Sequence, residues 1–267
     1  MLTSTQNPLV KAIKKLHTAK GRREQELFLL EGTHLLEEAC AVNYPIVTIC
    51  CTPEWQERHQ QLWQDIASRC QRAEVVSPEV LKAIATTVQP DGIVATAKRL
   101  PSSDSRHPQT FPLLTTIGLA LETVQDPGNL GTIIRTAAAA GAQRLWLTED
   151  SVDLDNPKVL RSSAGQWFRL PMTVTCALKE VVCQCQAQGI QVVATVPNAT
   201  LSYWDIDLQQ PTLMLLGNEA AGLSADLVSL SNRQVNIPLT PGVESLNVAI
   251  AAALMLYEAQ RQRRNIG

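Results

Sequence analysis

The stretch VNIPLTPGVESLNVAIAAALMLYE, residues Val235–Glu258, sets the organisation of the second half of the chain. A short apolar strand is predicted to end at Leu239. Pro241-Gly242 predicts a turn, because proline fixes φ and glycine permits unusual φ values. A helix is predicted to start near Glu244 or Ser245, with Ser245 as its N-cap. The stretch is therefore a strand–turn–helix unit with a polar turn between two apolar elements.

The predicted helix is unusually apolar. Between Leu246 and Tyr257 its one strongly polar side chain is Asn247. A surface helix shows a polar face, so this one is predicted to be buried nearly all round, against its own sheet and another layer such as a second subunit. It is too short to span a membrane, which takes about 20 apolar residues. A buried Asn without hydrogen-bond partners costs roughly 1–3 kcal/mol, so Ser245 and Asn247 are either structural locks or ligand contacts.

Composition predicts a globular protein of one or two domains. The chain has 267 residues, of which 45% are hydrophobic, enough for a sizeable core. The N-terminus MLTSTQNPLVKAIKK has no apolar signal region, so a cytoplasmic protein is expected. The seven cysteines are odd in number and form no CxxC pair, which argues against a disulfide framework and a zinc site, and no metal is expected. A net charge of −2 gives no global sign of a nucleic-acid partner.

The first 23 residues are locally basic and contain no acid. Apolar residues at helical spacing predict an amphipathic helix there. Two interpretations stay open: a solvated helix face, or an arm whose cations neutralise phosphates and release counterions. The cations are Lys11, Lys14, Lys15, Lys20, Arg22 and Arg23.

Three segments follow from the pattern of elements. Short apolar runs alternate with helical segments up to Arg99, which indicates a small α/β domain over residues 1–100. Residues 101–112, rich in Pro and Ser, are predicted to be a linker. A second α/β domain is predicted over residues 113–267.

Three polar loops of this second domain each follow an apolar strand: Glu122–Asn129, Gly217–Gly222 and Leu239–Ser245. The carboxyl ends of parallel strands share one sheet edge, so these loops are expected to face one crevice. The glycine-rich loop matches neither GxGxxG nor a P-loop. All four histidines precede this domain, which excludes a Ser-His-Asp relay made by the domain itself. Chemistry there must use Asn, Arg, Glu and Ser.

Three motifs in this domain carry a family resemblance. DPGNLGTIIRTA, LLGNEAAGLS and IPLTPGVESLNVAIAAALMLYE resemble, in order and spacing, the signature motifs of the SpoU (TrmH-type) RNA ribose 2′-O-methyltransferases. DNPKVLRSSAG between them is similar to that family too, and the resemblance covers roughly Leu113 to Arg263. The N-terminal region more loosely resembles the small α/β substrate-binding domain that precedes many members, which favours the phosphate-contacting arm.

The resemblance implies a fold, a cofactor and a set of site residues. The expected fold is α/β, with a C-terminal trefoil-knotted, SPOUT-like methyltransferase domain whose sheet is mostly parallel. S-adenosylmethionine is the implied cofactor, and a homodimer through the knotted region is expected. Matching positions predict cofactor contacts at Gly217, Ile237, Leu246 and Asn247, and Thr195, at the end of a preceding strand, is a further candidate. Matching positions also predict catalytic or substrate-orienting roles for Asn129, Arg135, Glu219 and Ser245. RNA contacts are expected from Lys11, Lys14, Lys15, Arg22, Arg23, Lys158 and Arg161. At Ala138 many relatives carry a polar residue.

The implied reaction is methyl transfer to a ribose 2′-hydroxyl of RNA, with ribosomal RNA favoured over transfer RNA. Arg135 is expected to bind a phosphate and stabilise alkoxide charge, because guanidinium holds its proton too tightly to act as a base. A non-catalytic RNA-binding or assembly protein on the same fold remains an alternative. So does a small-molecule enzyme on an ordinary doubly wound sheet, although the basic N-terminus and the missing nucleotide fingerprints count against it.

Overall fold

The computed structural model describes residues 1–99 and 113–264, so the predicted linker lies outside the described residues. The chain divides into two compact units. The first contains the N-terminal region together with Asp153–Phe168, and the second contains the rest. The sequence predicts one continuous second domain over 113–267, whereas the structure places Asp153–Phe168, called the inserted segment below, in the first unit.

The first unit is a four-stranded sheet in the order β1-β4-β2-β3 with helices on both faces. Only β2 and β3 are parallel; β4 is antiparallel to both β1 and β2. Its strands are β1 (Leu27–Glu31), β2 (Ile46–Cys51), β3 (Arg72–Val75) and β4 (Ile93–Lys98). Its helices before β4 are α1 (Pro8–Lys15), α2 (Ala19–Gln25), α3 (Thr33–Ala41), α4 (Pro53–Arg58), α5 (Gln60–Ala67) and α6 (Pro78–Ile84).

Alternation along the strands builds two apolar layers. Phe28 and Leu30 of β1 point into one core cluster, and Leu29 points into the other. The period of two in a strand places neighbouring side chains on opposite faces. The second cluster also receives Val10 and Ile13 of α1, which explains the apolar stripe of that helix.

The segment Asp153–Phe168 completes the first unit. It contains α8 (Pro157–Ser162), whose Leu160 is fully buried in the first cluster. The Trp167 ring lies 5.2 Å from that of Phe28 and 5.8 Å from that of Tyr44. Residues that the motif order assigns to the second half of the chain therefore pack in the core of the first unit.

The second unit is a seven-stranded sheet in the order β7-β6-β5-β10-β8-β11-β9, and every pairing in it is parallel. Its strands are β5 (Ile117–Leu121), β6 (Arg144–Thr148), β7 (Met172–Thr175), β8 (Gln191–Thr195), β9 (Leu201–Ser202), β10 (Thr212–Leu216) and β11 (Arg233–Asn236). Its helices are α7 (Pro127–Ala139), α9 (Leu178–Ala187), α10 (Ala225–Leu230) and α11 (Val248–Arg264). The predicted α/β class with a mostly parallel sheet is confirmed.

The last helix differs from its prediction in two ways. It starts at Val248, and its cap is Asn247, whose Oδ1 accepts hydrogen bonds from the backbone N–H of Ala249 (2.9 Å) and Ile250 (3.3 Å). The predicted N-cap Ser245 is wrong, because the Pro-Gly turn extends the loop past it. Within one chain its own sheet covers only part of the helix, since Ile250 (51%) and Tyr257 (49%) are exposed, so burial by a second subunit stays a prediction. Within residues 1–99 and 113–264, no helix has the length and hydropathy that a bilayer crossing requires.

Candidate functional site

Four neighbouring parallel strands end at one edge of the large sheet. They lie in the order β5, β10, β8 and β11, and the polar loops predicted from the sequence follow β5, β10 and β11. Because parallel strands point the same way, their carboxyl ends place these loops side by side. The structure thus brings together segments that are far apart in the chain.

A chain of side-chain hydrogen bonds links the three loops. The Asn129 amide Nδ2 donates to Glu219 Oε1 at 3.0 Å, and Asn247 Nδ2 donates to Asn129 Oδ1 at 2.9 Å. Asn129 lies in the first turn of α7. The N-cap of this helix is Asp126, whose Oδ1 accepts a hydrogen bond from the Asn129 backbone N–H at 2.8 Å. With both ends of its amide engaged, Asn129 is held in one orientation.

A cavity of about 280 Å³ lies beside this chain of hydrogen bonds. Six of the residues predicted for the site line it: Thr195, Gly217, Glu219, Ile237, Ser245 and Leu246. Sequence reasoning missed further wall residues, among them Val196, Pro197, Leu216, Asn218, Leu239 and Val248. Most of these are apolar residues next to predicted ones, and in the sequence they read as strand ends or turn residues.

The loop after β10 requires glycine at its first position. A Cβ built on Gly217 would lie 2.1 Å from the backbone carbon of Gly222, closer than any real contact. Asn218 closes the loop through backbone hydrogen bonds with Gly222 in both directions, at 3.0 and 2.9 Å. The loop therefore doubles back tightly and exposes its backbone to the cavity.

Asn218 and Glu122 position this loop, and neither was predicted. Asn218 Oδ1 accepts from the backbone N–H of Ala220 and Ala221, each at 2.9 Å, and its Nδ2 donates to the Thr123 carbonyl at 2.8 Å. Glu122 Oε2 accepts from the Ser224 backbone N–H at 2.7 Å. The sequence signal for Asn218 was its place in a glycine-rich loop, because Asn side chains there commonly hydrogen-bond to the backbone of the turn.

The cavity wall has features that suit a bound organic group. Thr195 Oγ1 is buried and has no hydrogen-bond partner among the described residues, so a ligand that pairs with it relieves an unsatisfied polar atom. Two carboxylates, Glu219 and Glu244, line the cavity, and no Lys or Arg among the described residues does so. A partly apolar ligand that carries positive charge fits this lining.

Arg135 does not line the cavity. It lies six residues after Asn129 on α7, about 9 Å farther along the helix axis at 1.5 Å per residue. Its side chain is exposed, and in the part of the chain that the structure describes it makes no hydrogen bond or ion pair. Within one chain, the guanidinium stands apart from the chain of hydrogen bonds and remains open to solvent.

The residues predicted to contact RNA fall into different environments. Lys11, Lys14, Lys15 and Lys158 are exposed. Arg23 is exposed but pairs with Asp153 at 3.0 Å, and this hydrogen bond raises the pKa of the Arg23 guanidinium.

The environment of Arg22 does not fit its predicted contact with RNA. Its side chain is only 3% exposed, and it pairs with Asp153 at 2.8 Å and with Asp155 at 3.0 Å. Both carboxylates belong to the inserted segment, so the Arg22 charge is already neutralised inside the first unit. It is a structural residue rather than a phosphate ligand. Arg161 is half-buried and hydrogen-bonds to Glu31 Oε1 at 3.0 Å.

Comparison with known proteins identifies the family. Residues 116–257 match the model of the SpoU rRNA Methylase family, and residues 7–95 match the MRM3-like substrate binding domain. The chain belongs to the SpoU rRNA methylase family. Members resemble it over nearly its whole length: the 23S rRNA (guanosine(2553)-2'-O)-methyltransferase RlmP of Bacillus subtilis is 34% identical, with 96% of this chain and 97% of the relative covered. An uncharacterised tRNA/rRNA methyltransferase from Synechocystis is 49% identical, over 98% and 94% of the two chains.

Solved structures of SpoU family members show the same architecture. The AdoMet-bound rRNA methyltransferase from Sinorhizobium meliloti superposes with a TM-score of 0.85 at 33% identity, covering 97% of each chain. The SpoU methyltransferase AviRb from Streptomyces viridochromogenes, in complex with AdoMet, has a TM-score of 0.83 at 29% identity, with 97% of this chain and 99% of that one covered. These structures confirm the predicted α/β fold class, a SpoU/SPOUT methyltransferase domain with a large parallel sheet preceded by a small α/β domain, while the trefoil knot stays a prediction.

Proposed function

We propose that this protein transfers a methyl group from S-adenosylmethionine to a ribose 2′-hydroxyl of ribosomal RNA. The observation that carries the proposal is the cavity at the sheet edge, which residues of the second and third motifs line, beside the hydrogen-bonded chain through which Asn129 of the first motif joins Glu219 and Asn247. Family membership supports methyl transfer as the reaction class, and the name of RlmP, which matches this chain along nearly its whole length, supports ribosomal RNA as the substrate.

The cofactor is proposed to occupy the cavity. Gly217, Ile237 and Leu246 would surround its apolar parts, and the Thr195 hydroxyl would gain a partner from it. Asn247 would hold the rim, since it caps α11 and bonds to Asn129. When bound, S-adenosylmethionine supplies an electrophilic methyl on a positively charged sulfonium, and the carboxylates of the cavity suit that charge.

The chain's own residues then have to orient and deprotonate the 2′-hydroxyl. Orientation of bound reactants supplies roughly 7–11 kcal/mol in well-aligned cases, and a fixed Asn129 amide serves this role. Glu219 is the proposed proton acceptor, because its carboxylate lines the cavity and, within the described part of the chain, accepts one hydrogen bond, from Asn129. Ser245, also on the cavity wall, is proposed to orient the ribose. Arg135, with all its donors available among the described residues, is proposed to bind the adjacent phosphate and stabilise the developing alkoxide.

Ribosomal RNA is favoured over transfer RNA by coverage. RlmP matches over 256 residues, which include the substrate-binding region. The tRNA (guanosine(18)-2'-O)-methyltransferase of Escherichia coli matches over only 150 residues, or 56% of this chain. The exposed lysines of α1, with Lys158 and Arg23, are the proposed phosphate contacts of the first unit.

A homodimer is also proposed, with α11 at the interface. Ile250 (51%), Leu254 (36%) and Tyr257 (49%) form an exposed apolar face on a helix that also carries buried residues such as Ala252 and Met255. Large exposed apolar faces mark interaction sites. Size-exclusion chromatography with light scattering checks the proposal, and Ile250→Glu should shift the protein to monomer.

We also propose a cytoplasmic location for the protein, where it would meet ribosomal RNA.

The decisive experiment maps 2′-O-methyl groups in total RNA from cells with and without the gene. The expected result is the loss of a ribosomal RNA methylation that purified protein restores with tritiated S-adenosylmethionine. A transfer RNA site lost instead would replace the ribosomal assignment. RNA binding without any methyl transfer would favour the assembly-protein alternative.

A further inference from the structure

A short loop of the first unit displays an apolar side chain to solvent. Val88 is 83% exposed, more than any other large hydrophobic side chain among the described residues. It lies in the segment Thr86–Asp91 between α6 and β4. Single exposed apolar residues are common and need no explanation by themselves. What sets this one apart is the structure that holds it.

The start of the loop is fixed by a buried carboxylate. The Glu31 side chain is 3% exposed. It accepts from the backbone N–H of Thr86 and Thr87, at 3.0 and 3.1 Å, and from both of their hydroxyls. Arg161 Nη1 supplies a fifth donor at 3.0 Å. A buried charge is tolerated only when it is paired and hydrogen-bonded, and here four of the five donors come from two consecutive loop residues.

The end of the loop is fixed as well. Asp91 Oδ2 accepts from the Thr33 backbone N–H at 2.7 Å, at the start of α3. The Gly92 carbonyl accepts from the Thr52 backbone N–H at 3.0 Å. With both ends held, Val88 and Gln89 stand at a rigid exposed tip, so little conformational entropy is lost when a partner binds.

A cation lies at the base of the tip. Arg161 Nη1 contacts Glu31 and also donates to Thr86 Oγ1 at 2.8 Å. Both side-chain hydrogen bonds that Arg161 makes to described residues use Nη1, and the Arg161 side chain is 30% exposed. The remaining guanidinium donors can bind a phosphate. A rigid apolar tip next to a guanidinium suits an unstacked nucleotide, whose base meets the apolar group while its phosphate meets the cation.

We propose that the loop Thr86–Asp91 is an RNA-contacting element of the first unit, with Val88 packed on an unpaired base and Arg161 on a neighbouring phosphate. This inference rests on the proposed function, because RNA is the occupant that both the match of residues 7–95 to a substrate binding domain and the adjacent cation favour. It also gives Arg161 a specific role that its place in the sequence did not.

The test measures binding of the full-length protein to in vitro transcribed 23S rRNA at several salt concentrations. Val88→Ser should weaken binding about fivefold with an unchanged salt slope, because an apolar contact releases no counterions. Val88→Phe should tighten binding, because a ring stacks better on a base. The matched controls are Val42→Ser and Val42→Phe, at an apolar residue of the same unit that is 37% exposed, and they should leave binding unchanged.

A fully paired RNA duplex separates base contact from general affinity. Wild type and both Val88 variants should bind it equally, because it offers no unstacked base. Equal binding of wild type and Val88→Ser to 23S rRNA overturns the inference, and so does an equal loss on the duplex. Methyl transfer is measured in parallel: if wild type transfers no methyl yet its RNA affinity depends on Val88, the proposed function fails while the RNA contact stands.

Discussion

Two polar clusters in this protein have opposite characters. In the first unit, Arg22 and its two aspartates form a buried ionic cluster, joined by Arg99 through Asp155. In the second unit, Asn129, Glu219 and Asn247 form a neutral-and-acidic chain at the edge of a cavity. The buried cluster satisfies its own charges, whereas the cavity cluster keeps a carboxylate accessible. Burial and partners, more than residue type, separate a structural cluster from a reactive one.

The largest effect is expected where a buried charge loses its partner. Asp155 is 5% exposed at its side chain, and Asp155→Ala leaves Arg22 and Arg99 each short of a carboxylate. Breaking a buried pair costs roughly 3–5 kcal/mol, so the free energy of unfolding of the first unit should fall by about that amount. Urea denaturation followed by tryptophan fluorescence measures it.

A surface pair provides the control for this prediction. Lys20 and Glu24 are 84% and 58% exposed, so Glu24→Ala should change stability by less than about 0.5 kcal/mol. If Asp155→Ala cost no more than Glu24→Ala, the ionic cluster would not be structural and Arg22 would again be a candidate RNA contact.

Next in size is the effect of Arg135→Ala on turnover. Loss of a charge-stabilising donor typically lowers the rate about 100- to 1,000-fold, so methyl transfer should fall by that factor. Stability and S-adenosylmethionine affinity should be unchanged, because the side chain is exposed and does not line the cavity. Arg233→Ala, at an exposed arginine of the same unit, is the control. Near-normal turnover of Arg135→Ala would remove the residue from the mechanism.

A smaller effect is expected from Glu219→Gln. The amide oxygen of Gln can still accept the hydrogen bond from Asn129, but it cannot accept a proton at neutral pH. Turnover should fall about 100-fold, the lower end of the typical contribution of general acid–base catalysis. Glu149→Gln is the isosteric control, because Glu149 is an exposed glutamate of the same unit outside the cavity lining. If the two variants turned over alike, Glu219 would be only a positioning residue.

The smallest effect is expected for Glu258, a buried carboxylate whose partner Arg261 is exposed. Hydrogen bonds from Arg261 lower the pKa of the Glu258 carboxyl. A lowered folded-state pKa stabilises the protein above the unfolded value and loses this contribution as pH falls through the folded value. The contribution should be below about 1 kcal/mol, because Arg261 is 62% exposed. Glu258→Gln should remove it at pH 7 and reduce the loss of stability on acidification, measured by urea unfolding from pH 7 down to pH 3.

The inserted segment changes how a deletion experiment must be designed. Removing residues 1–100 separates the methyltransferase motifs from the N-terminal domain in the sequence, but it would expose Leu160 and Trp167 and leave Asp155 without its arginines. Loss of activity in such a deletion would then report misfolding as much as lost RNA binding. Point substitutions at exposed residues avoid this problem.

The sequence by itself determined the α/β class, the three motif loops and the family, but it missed β9 and placed the end of β11 at Leu239 instead of Asn236. Those features depend on local patterns, such as apolar runs of strand length and polar turns after them, and on motif order, all of which are written along the chain. The meeting of the loops also followed, because parallel strands of one sheet end at one edge.

Only the tertiary structure decided where the charged residues act. Arg22 and Arg23 are adjacent and alike in sequence, yet one is buried between carboxylates from residues more than 130 positions away and the other is exposed. The same holds for the cap of α11, which is Asn247 instead of Ser245 and which also bonds to Asn129, 118 positions away. It holds too for the exposed Val88, because Glu31, 55 positions from Thr86, fixes the start of its loop. Burial and long-range pairing are properties of the folded chain, and no local pattern encodes which distant group will neutralise a charge.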